Sequence, residues 1–170
     1  MVVSTSKKLC EPYAHLLHRL LDVAIERLSG EIVSFVVYGS VARCEAGRES
    51  DIDVLIVLEN PPKSRLKRQE LFMLVEEGVE EEVERLRSQG YSVDFSPIIK
   101  SVSEAKKVSP LYLDMVEDAV VLYDKENFFT NVLNNLREKL KELGAERVGC
   151  GRKWYWRLKR DYKFGEVIEL

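Results

Sequence analysis

Two aspartates interrupt a strongly apolar segment, and this feature most constrains what the chain can fold into. In YGSVARCEAGRESDIDVLIV, residues 38–57, Asp51 and Asp53 flank one isoleucine and lead into an apolar run. A β-strand alternates its side chains between two faces, so both carboxylates point to one side and Ile52 points to the other. Neighbouring carboxylates repel each other and lose hydration when buried, and a bound cation offsets both costs. The pattern predicts a strand that begins at a site for Mg²⁺ or Mn²⁺.

The Gly39-Ser40 pair ahead of these aspartates predicts a phosphate-binding turn. The apolar run EIVSFVVY, residues 31–38, is typical of a buried strand and ends at this pair. Glycine lets the main chain approach a ligand closely, and N–H groups at a helix start favour phosphate. The Ser40 hydroxyl adds a donor. A phosphate cradle beside a metal site is what phosphoryl or nucleotidyl transfer requires, because its catalysis is mainly positioning and charge neutralisation.

A third carboxylate is expected, because two metal ions need more ligands than two side chains easily supply. In YSVDFSPIIK, residues 91–100, Asp94 lies in a predicted strand with its two neighbours on the opposite face. If the two strands are adjacent, Asp94 joins Asp51 and Asp53. The alternatives are an inactive remnant of such a site, or two strands whose acids simply face water.

In the remaining pattern, strands and helices alternate, which predicts an α/β fold. Helices are predicted over 9–28, 40–47, 65–89 and 126–143, with a short one opened by Pro110. Strands are predicted over 31–39, 51–58, 91–100 and 118–124. Asp124 is expected to cap the last helix and Gly144 to end it. We assign 1–144 to one domain and 145–170 to a basic and aromatic extension packed on the same domain.

The segment VVYGSVARCEAGRESDIDVLIV, residues 36–57, resembles the signature of the DNA polymerase beta-type nucleotidyltransferase superfamily. The shared pattern is an apolar strand, Gly-Ser, ten residues and then Asp-apolar-Asp. It is most similar to the minimal, MNT-type branch, whose fuller motif runs from Gly-Ser-x-Ala-Arg-Gly to Ser-Asp-Ile-Asp. Asp94 fits the third strand aspartate of that family, and the tail resembles archaeal members of uncharacterised function. The resemblance implies the nucleotidyltransferase fold, with a mixed, mostly antiparallel sheet and helices packed on it.

The same resemblance implies a reaction. An acceptor hydroxyl, activated near Asp94, would attack the α-phosphate of ATP, take up AMP and release pyrophosphate. MNT-type proteins are associated with small helical HEPN-type toxins, which implies a protein acceptor on such a partner and an antitoxin role. The implied phosphate-binding residues are Gly39, Ser40 and Arg43, and the implied ligands of Mg²⁺ or Mn²⁺ are Asp51, Asp53 and Asp94.

Two other functions stay open at this point. The first is nucleotidyl transfer to RNA or to a small molecule such as an antibiotic, although no dedicated substrate domain is visible in 170 residues. The second is a module without catalysis that binds a nucleotide or a partner through the same pocket.

Cys44 is the one departure from the family motif, which has glycine after its arginine. A position that requires a left-handed main chain suits cysteine poorly, so we expect Cys44 to lie in the short helix instead. The cysteines, at 10, 44 and 150, are scattered and odd in number. Their spacing argues against a disulfide framework and offers no zinc site.

Charge and composition restrict the partners. The net charge of −3 argues against a general nucleic-acid binder. Between Arg152 and Lys163, however, six basic residues and one acid interleave with aromatic rings. This composition suits a segment that binds single-stranded nucleic acid. It equally suits a segment whose rings pack on the core while its cationic groups stay in water, and we favour this second interpretation. Without a membrane-length apolar run or a signal-like start, we expect a soluble cytoplasmic protein. The 32% charged residues with two glutamines hint at a thermophile.

Overall fold

One four-stranded sheet lies between two layers of helices. The computed structural model describes residues 8–28, 30–150, 153–161, 163, 166–168 and 170. The strands are β1 (Ile32–Tyr38), β2 (Ile52–Leu58), β3 (Phe95–Ser101) and β4 (Val120–Asp124), in the spatial order β3-β2-β1-β4. Strand β1 runs antiparallel to β2 and β4, whereas β2 and β3 are parallel. The prediction of a mixed, mostly antiparallel sheet is confirmed.

Seven α-helices lie within the described residues. They are α1 (Tyr13–Arg27), α2 (Gly39–Ala42), α3 (Arg65–Glu77), α4 (Glu80–Ser88), α5 (Val102–Ala105), α6 (Pro110–Asp118) and α7 (Phe128–Leu143). None of these helices is long and apolar enough to cross a membrane. Two further strands, β5 (Glu146–Cys150) and β6 (Lys153–Arg157), form an antiparallel hairpin that the sequence did not predict. Arg152 and Tyr162 of the predicted basic and aromatic tail lie outside the described residues.

The central strands are buried on both faces, which explains their continuous apolar sequence. Phe35 and Val37 pack on one side with α1, α3 and α4, while Val36 packs on the other side with α6 and α7. In β2, Ile52, Val54 and Ile56 are completely buried on the α1 side. Because side chains alternate along a strand, the position between Ile52 and Val54 faces the α6 side.

The predicted long helix over 65–89 is wrong in one respect, because it is broken at Gly78 into α3 and α4. A methyl group built on Gly78 would lie 2.5 Å from Cγ1 of Val23, so glycine permits the close approach of this turn to α1. The apolar stripe continues across the break, with Val75, Val79 and Val83 all buried. A continuous stripe therefore did not reveal the interruption.

The predicted end of the last helix is confirmed, whereas the helix begins at Phe128, two residues later than predicted, after a 3-10 turn over Lys125–Asn127. The Asp124 carboxylate accepts hydrogen bonds from the main-chain N–H groups of Phe129, at 2.9 Å, and Thr130, at 2.8 Å. It also accepts one from the buried Ser34 hydroxyl, at 2.6 Å. Gly144 ends α7 in the left-handed conformation, with φ 66°. Strand β1 and helix α7 are thus joined through one buried carboxylate.

Both expectations for Cys44 are wrong. It lies after α2 in the left-handed region, with φ 59°, and forms a disulfide with Cys10 across 34 positions of sequence. The N–H of Cys44 bonds the carbonyl of Val41 at 3.1 Å, and the N–H of Glu45 bonds that of Ser40 at 2.9 Å. This is the Schellman ending of a helix, in which glycine usually occupies the left-handed position. Counting cysteines did not reveal the pair, because the fold alone brings the segments before α1 and after α2 together.

Replacing both bridging cysteines tests the cross-link and the main-chain conformation separately. Cys10→Ser/Cys44→Ala should lower the free energy of unfolding by about 2–4 kcal/mol, the usual effect of losing a disulfide. Cys10→Ser/Cys44→Gly should lose about 1 kcal/mol less, because glycine adopts a positive φ without strain. Chemical denaturation measures both. Equal stabilities for the two variants would contradict a left-handed requirement at this position.

Candidate functional site

The two predicted aspartates lie where the end of β1 meets the start of β2. Asp51 directly precedes β2 and is exposed, whereas Asp53 is half-buried within the strand and pairs with Tyr38. The negative charge of Asp51 acts on the Asp53 carboxyl, two residues further along the chain. Strand β1 is followed directly by Gly39 and Ser40, which form the first turn of α2.

Asp53 packs directly against the main chain of Gly39. Gly39 has φ 72°, and a methyl group built on it would overlap Oδ2 of Asp53 and lie 3.1 Å from its Cγ. Two separate constraints therefore require glycine here, namely the positive φ and the space taken by the carboxylate. The Gly-Ser turn and the aspartate strand form one unit, because the glycine leaves room for the acid.

The surroundings of Asp53 disfavour the charged form of its carboxyl group. Burial, and then the neighbouring charge of Asp51, raise the pKa of Asp53 above its ordinary value. The charge of Arg43 and a hydrogen bond from the Ser96 side chain act in the opposite direction. Burial, with Asp53 beside it, also raises the pKa of Tyr38 to about 12. A divalent cation at this position would offset the repulsion that the carboxylates now experience.

Asp94 lies beside the pair along the main chain, but its side chain has other partners. It immediately precedes β3, rather than lying inside a strand as predicted, and its carbonyl accepts the N–H of Ile52 at 2.8 Å. Its exposed carboxylate accepts a hydrogen bond from the Ser92 hydroxyl at 2.8 Å and acts electrostatically on Glu76 and Arg87. Among the described residues, no three His, Cys, Asp or Glu side chains are grouped closely enough to hold a metal ion.

Arg43 follows α2 and extends towards the C-terminal hairpin. Its Nε donates to Glu45 at 2.8 Å, and its Nη1 lies 3.8 Å from Oδ2 of Asp118 at the end of α6. A cavity of about 500 Å³ opens beside it. The charged and aromatic side chains lining this cavity are Lys8, Arg43, Glu45, Asp118, Arg147 and Trp154. Neither this cavity nor a larger one of about 760 Å³, to which α7 contributes the most residues, includes Asp51, Asp53 or Asp94 among its lining residues.

Sequence reasoning missed two residues of the site. Ser96 is paired with Asp53 in the parallel register of β2 and β3, and it hydrogen-bonds that carboxylate. Its position two residues after Asp94 was the available signal, because residues two apart in a strand share a face. Asp118 had no such signal, since nothing in the sequence shows that α6 ends beside Arg43.

Comparison with protein families identifies the class of protein. The nucleotidyltransferase domain model matches residues 18–147, a range that includes every predicted site residue. The chain therefore belongs to the nucleotidyltransferase domain family, and the resemblance read from the sequence is confirmed. As a member of this family, it is a transferase.

The chain is also similar to individual proteins and solved structures. The chain is 25% identical over 142 residues to a Methanocaldococcus jannaschii protein named "Putative protein adenylyltransferase MJ1305", covering 82% of this chain and 91% of that one. Two similar solved structures are a toxin–antitoxin complex with AMP-PNP (14% identity, TM-score 0.44) and a tri-AMPylated Shewanella oneidensis HEPN toxin with its MNT antitoxin (12%, 0.40). Coverage is 75% and 76% of this chain, and 92% and 91% of the matched chains, respectively.

Gly39→Ala tests the contact between the turn and the aspartate. The added methyl group should displace the Asp53 carboxylate and strain a positive φ, and so weaken Mg·ATP binding by roughly ten-fold or more. Gly47→Ala is the matched control, because a methyl group there would meet only Oγ of Ser50, at 3.9 Å. Calorimetric titration with Mg·ATP measures both affinities. An unchanged affinity for Gly39→Ala would contradict this role for the glycine.

Asp53→Asn should stabilise the metal-free protein. Because the pKa of Asp53 is raised on folding, the folded state holds this proton more tightly than the unfolded state. The free energy of unfolding therefore falls as pH rises from the ordinary carboxyl range through the raised pKa. Above that window, the charged Asp53 carries a cost that asparagine removes. Thermal unfolding in EDTA at neutral pH should give a higher Tm for Asp53→Asn and an unchanged one for the exposed-acid control Glu49→Gln.

Proposed function

We propose that the protein uses Mg²⁺ or Mn²⁺ to transfer AMP from ATP to an acceptor hydroxyl. The observation that carries this proposal is the Asp53 carboxylate seated against Gly39, with the charge of Asp51 beside it. A carboxylate pair next to a glycine turn offers a place for a cation and for phosphate at once. Membership of the nucleotidyltransferase family gives that arrangement its reaction class.

The side chains present fit a divalent cation in part. Asp51 and Asp53 supply hard oxygen ligands, and their repulsion, which Arg43 and Ser96 offset only in part, favours a metal. Such a cation, when bound, would neutralise phosphate charge and polarise the α-phosphate. Asp94 is the proposed third ligand, since its main chain adjoins Ile52 between the two aspartates. For this role the Asp94 carboxylate has to give up its hydrogen bond from the Ser92 hydroxyl and turn towards the cation.

The roles of the other residues follow from their positions. Gly39 and Ser40 offer main-chain N–H groups and a hydroxyl to the triphosphate. Arg43 adds positive charge on the α6 side of the sheet, which Asp53 also faces, since Nη1 of Arg43 lies 3.8 Å from Asp118 of α6. Asp94, at the outer end of the site, would accept the proton of the attacking hydroxyl. Nearly all of this contribution is positioning and charge, which suits phosphoryl chemistry.

For the acceptor we favour a hydroxyl side chain on a protein. The support is the similarity to the M. jannaschii relative, which is named as a protein adenylyltransferase. From the MNT-type sequence motif, the partner we propose is a small helical HEPN-type protein that the transfer would neutralise. Transfer to RNA or to a small molecule remains the rival acceptor class.

Binding of the nucleotide is the first test. Isothermal calorimetry should show ATP binding to the wild-type protein with Mg²⁺ or Mn²⁺ and a large loss in EDTA. Asp51→Asn and Asp53→Asn should each abolish or strongly weaken this binding, because each removes one charge from the cation site. Glu49→Gln, an exposed acid of the same loop, should leave the affinity unchanged. If no nucleoside triphosphate binds with either metal, the catalytic proposal fails and a partner-binding module becomes the better account.

A further inference from the structure

We propose that Trp154 of the C-terminal hairpin is a positioning residue for the nucleotide site, and that it acts by holding Arg43 in place. This proposal rests on the function proposed above, in which Arg43 supports the phosphates. It also goes beyond the family, because the nucleotidyltransferase match ends at residue 147 and Trp154 lies after it.

The hairpin presents one polar and aromatic face to α6. Arg147 pairs with Trp156 and Gly149 pairs with Trp154 between β5 and β6, so these four residues share a side of the two-stranded sheet. Tyr155, between the tryptophans, points the other way and is 52% exposed. The two indole rings of the hairpin therefore face α6, whereas the Tyr155 ring faces away from it.

Helix α6 receives that face with two carboxylates one turn apart. Oδ1 of Asp114 accepts the indole N–H of Trp154 at 3.0 Å and that of Trp156 at 3.1 Å. Four residues later, Oδ2 of Asp118 accepts Nη2 of Arg147 at 2.8 Å. Residues four apart lie on the same helix face, so a single face of α6 fixes the orientation of the hairpin.

Arg43 reaches the same cluster from the nucleotide site. Its guanidinium carbon lies 4.7 Å from the centre of the Trp154 ring, and that of Arg147 lies 3.9 Å from the same ring. Two guanidinium groups this close repel each other, and Asp118 offsets the repulsion through its contacts with both. The π face and the shared carboxylate together form a cradle for Arg43.

The cradle matters for the site because Arg43 contacts both the Gly39-Ser40 turn and the hairpin. The main-chain N–H of Arg43 donates to the carbonyl of Gly39 at 3.3 Å, so the arginine lies one helical turn after the glycine of the proposed phosphate-binding turn. Its side chain is only 20% exposed and borders the cavity of about 500 Å³. Arginine loses much rotamer freedom when it binds phosphate, and a side chain already held in place loses less. The hairpin would therefore raise nucleotide affinity without touching the nucleotide.

A double-mutant cycle tests this coupling. Trp154→Ala should weaken Mg·ATP binding roughly three- to ten-fold, the range for loss of one cation–π contact, whereas Trp154→Phe should recover most of the affinity. Trp154→Ala introduced into Arg43→Ala should add nothing further, because the residue acts through the arginine. Tyr155→Ala, which removes the neighbouring ring from the opposite face, should leave the affinity unchanged. Thermal unfolding confirms that each variant folds.

Tryptophan emission supplies a readout that a merely structural role would not move. The chain has two tryptophans, so Trp156→Phe leaves Trp154 as the only one. Titrating Mg·ATP into this variant should give a saturable emission change, which should vanish when Arg43→Ala is added. Additive losses in the cycle, an Arg43→Ala variant with wild-type affinity, or a silent Trp154 despite calorimetric binding would each overturn the proposal and leave the proposed function standing. Absence of binding to the wild-type protein would overturn both.

Discussion

The site depends above all on the packing of the Asp53 carboxylate against the main chain of Gly39. Strand β1 ends where the antiparallel strand β2 begins, so the turn after β1 and the first acids of β2 have to share one space. Only glycine leaves room for the carboxylate and accepts a φ of 72° there. The proposed phosphate turn and the proposed cation site are therefore linked, because a side chain at Gly39 would displace the Asp53 carboxylate.

The loop after that turn is fixed from two sides. Cys44 is bonded to Cys10 ahead of α1, and Arg43, one residue earlier, is held against the hairpin by Trp154 and Asp118. A covalent bond and an electrostatic contact thus restrict adjacent residues of one short segment. Such restriction is favourable for a phosphate site, because groups that are ordered before binding lose less entropy when the ligand arrives. Cys44, which stands where the family motif has glycine, is strained at its positive φ, and its disulfide with Cys10 compensates for that cost.

Much of this arrangement was predictable from local pattern, and the failures have physical reasons. Alternation along β2 predicted that Ile52 and Asp53 face opposite sides, because period-2 geometry belongs to the strand itself. The hydrogen bonds of Asp124 to the first turn of α7 were also predictable, because an acid ahead of a helix satisfies its free N–H groups. Contacts between residues distant in sequence were not predictable. The Cys10–Cys44 disulfide and the Asp118–Arg43 contact depend on how separate elements pack. Asp94 lies between these cases. The structure supplies the strand adjacency that the sequence left as a condition, whereas the Asp94 carboxylate bonds Ser92 and acts on charges of α3 and α4.

The central claim is that this site transfers the nucleotidyl group, and not the terminal phosphate, of ATP. The most direct measurement incubates the protein and Mg²⁺ with ATP labelled at either the α- or the γ-phosphate, in parallel reactions with a HEPN-type protein and with RNA. The account predicts that label from the α-phosphate becomes covalently attached to the protein acceptor, that γ-label leaves as pyrophosphate, and that Asp53→Asn abolishes the transfer. Attachment of γ-label, or α-labelling that persists in Asp53→Asn, would contradict it.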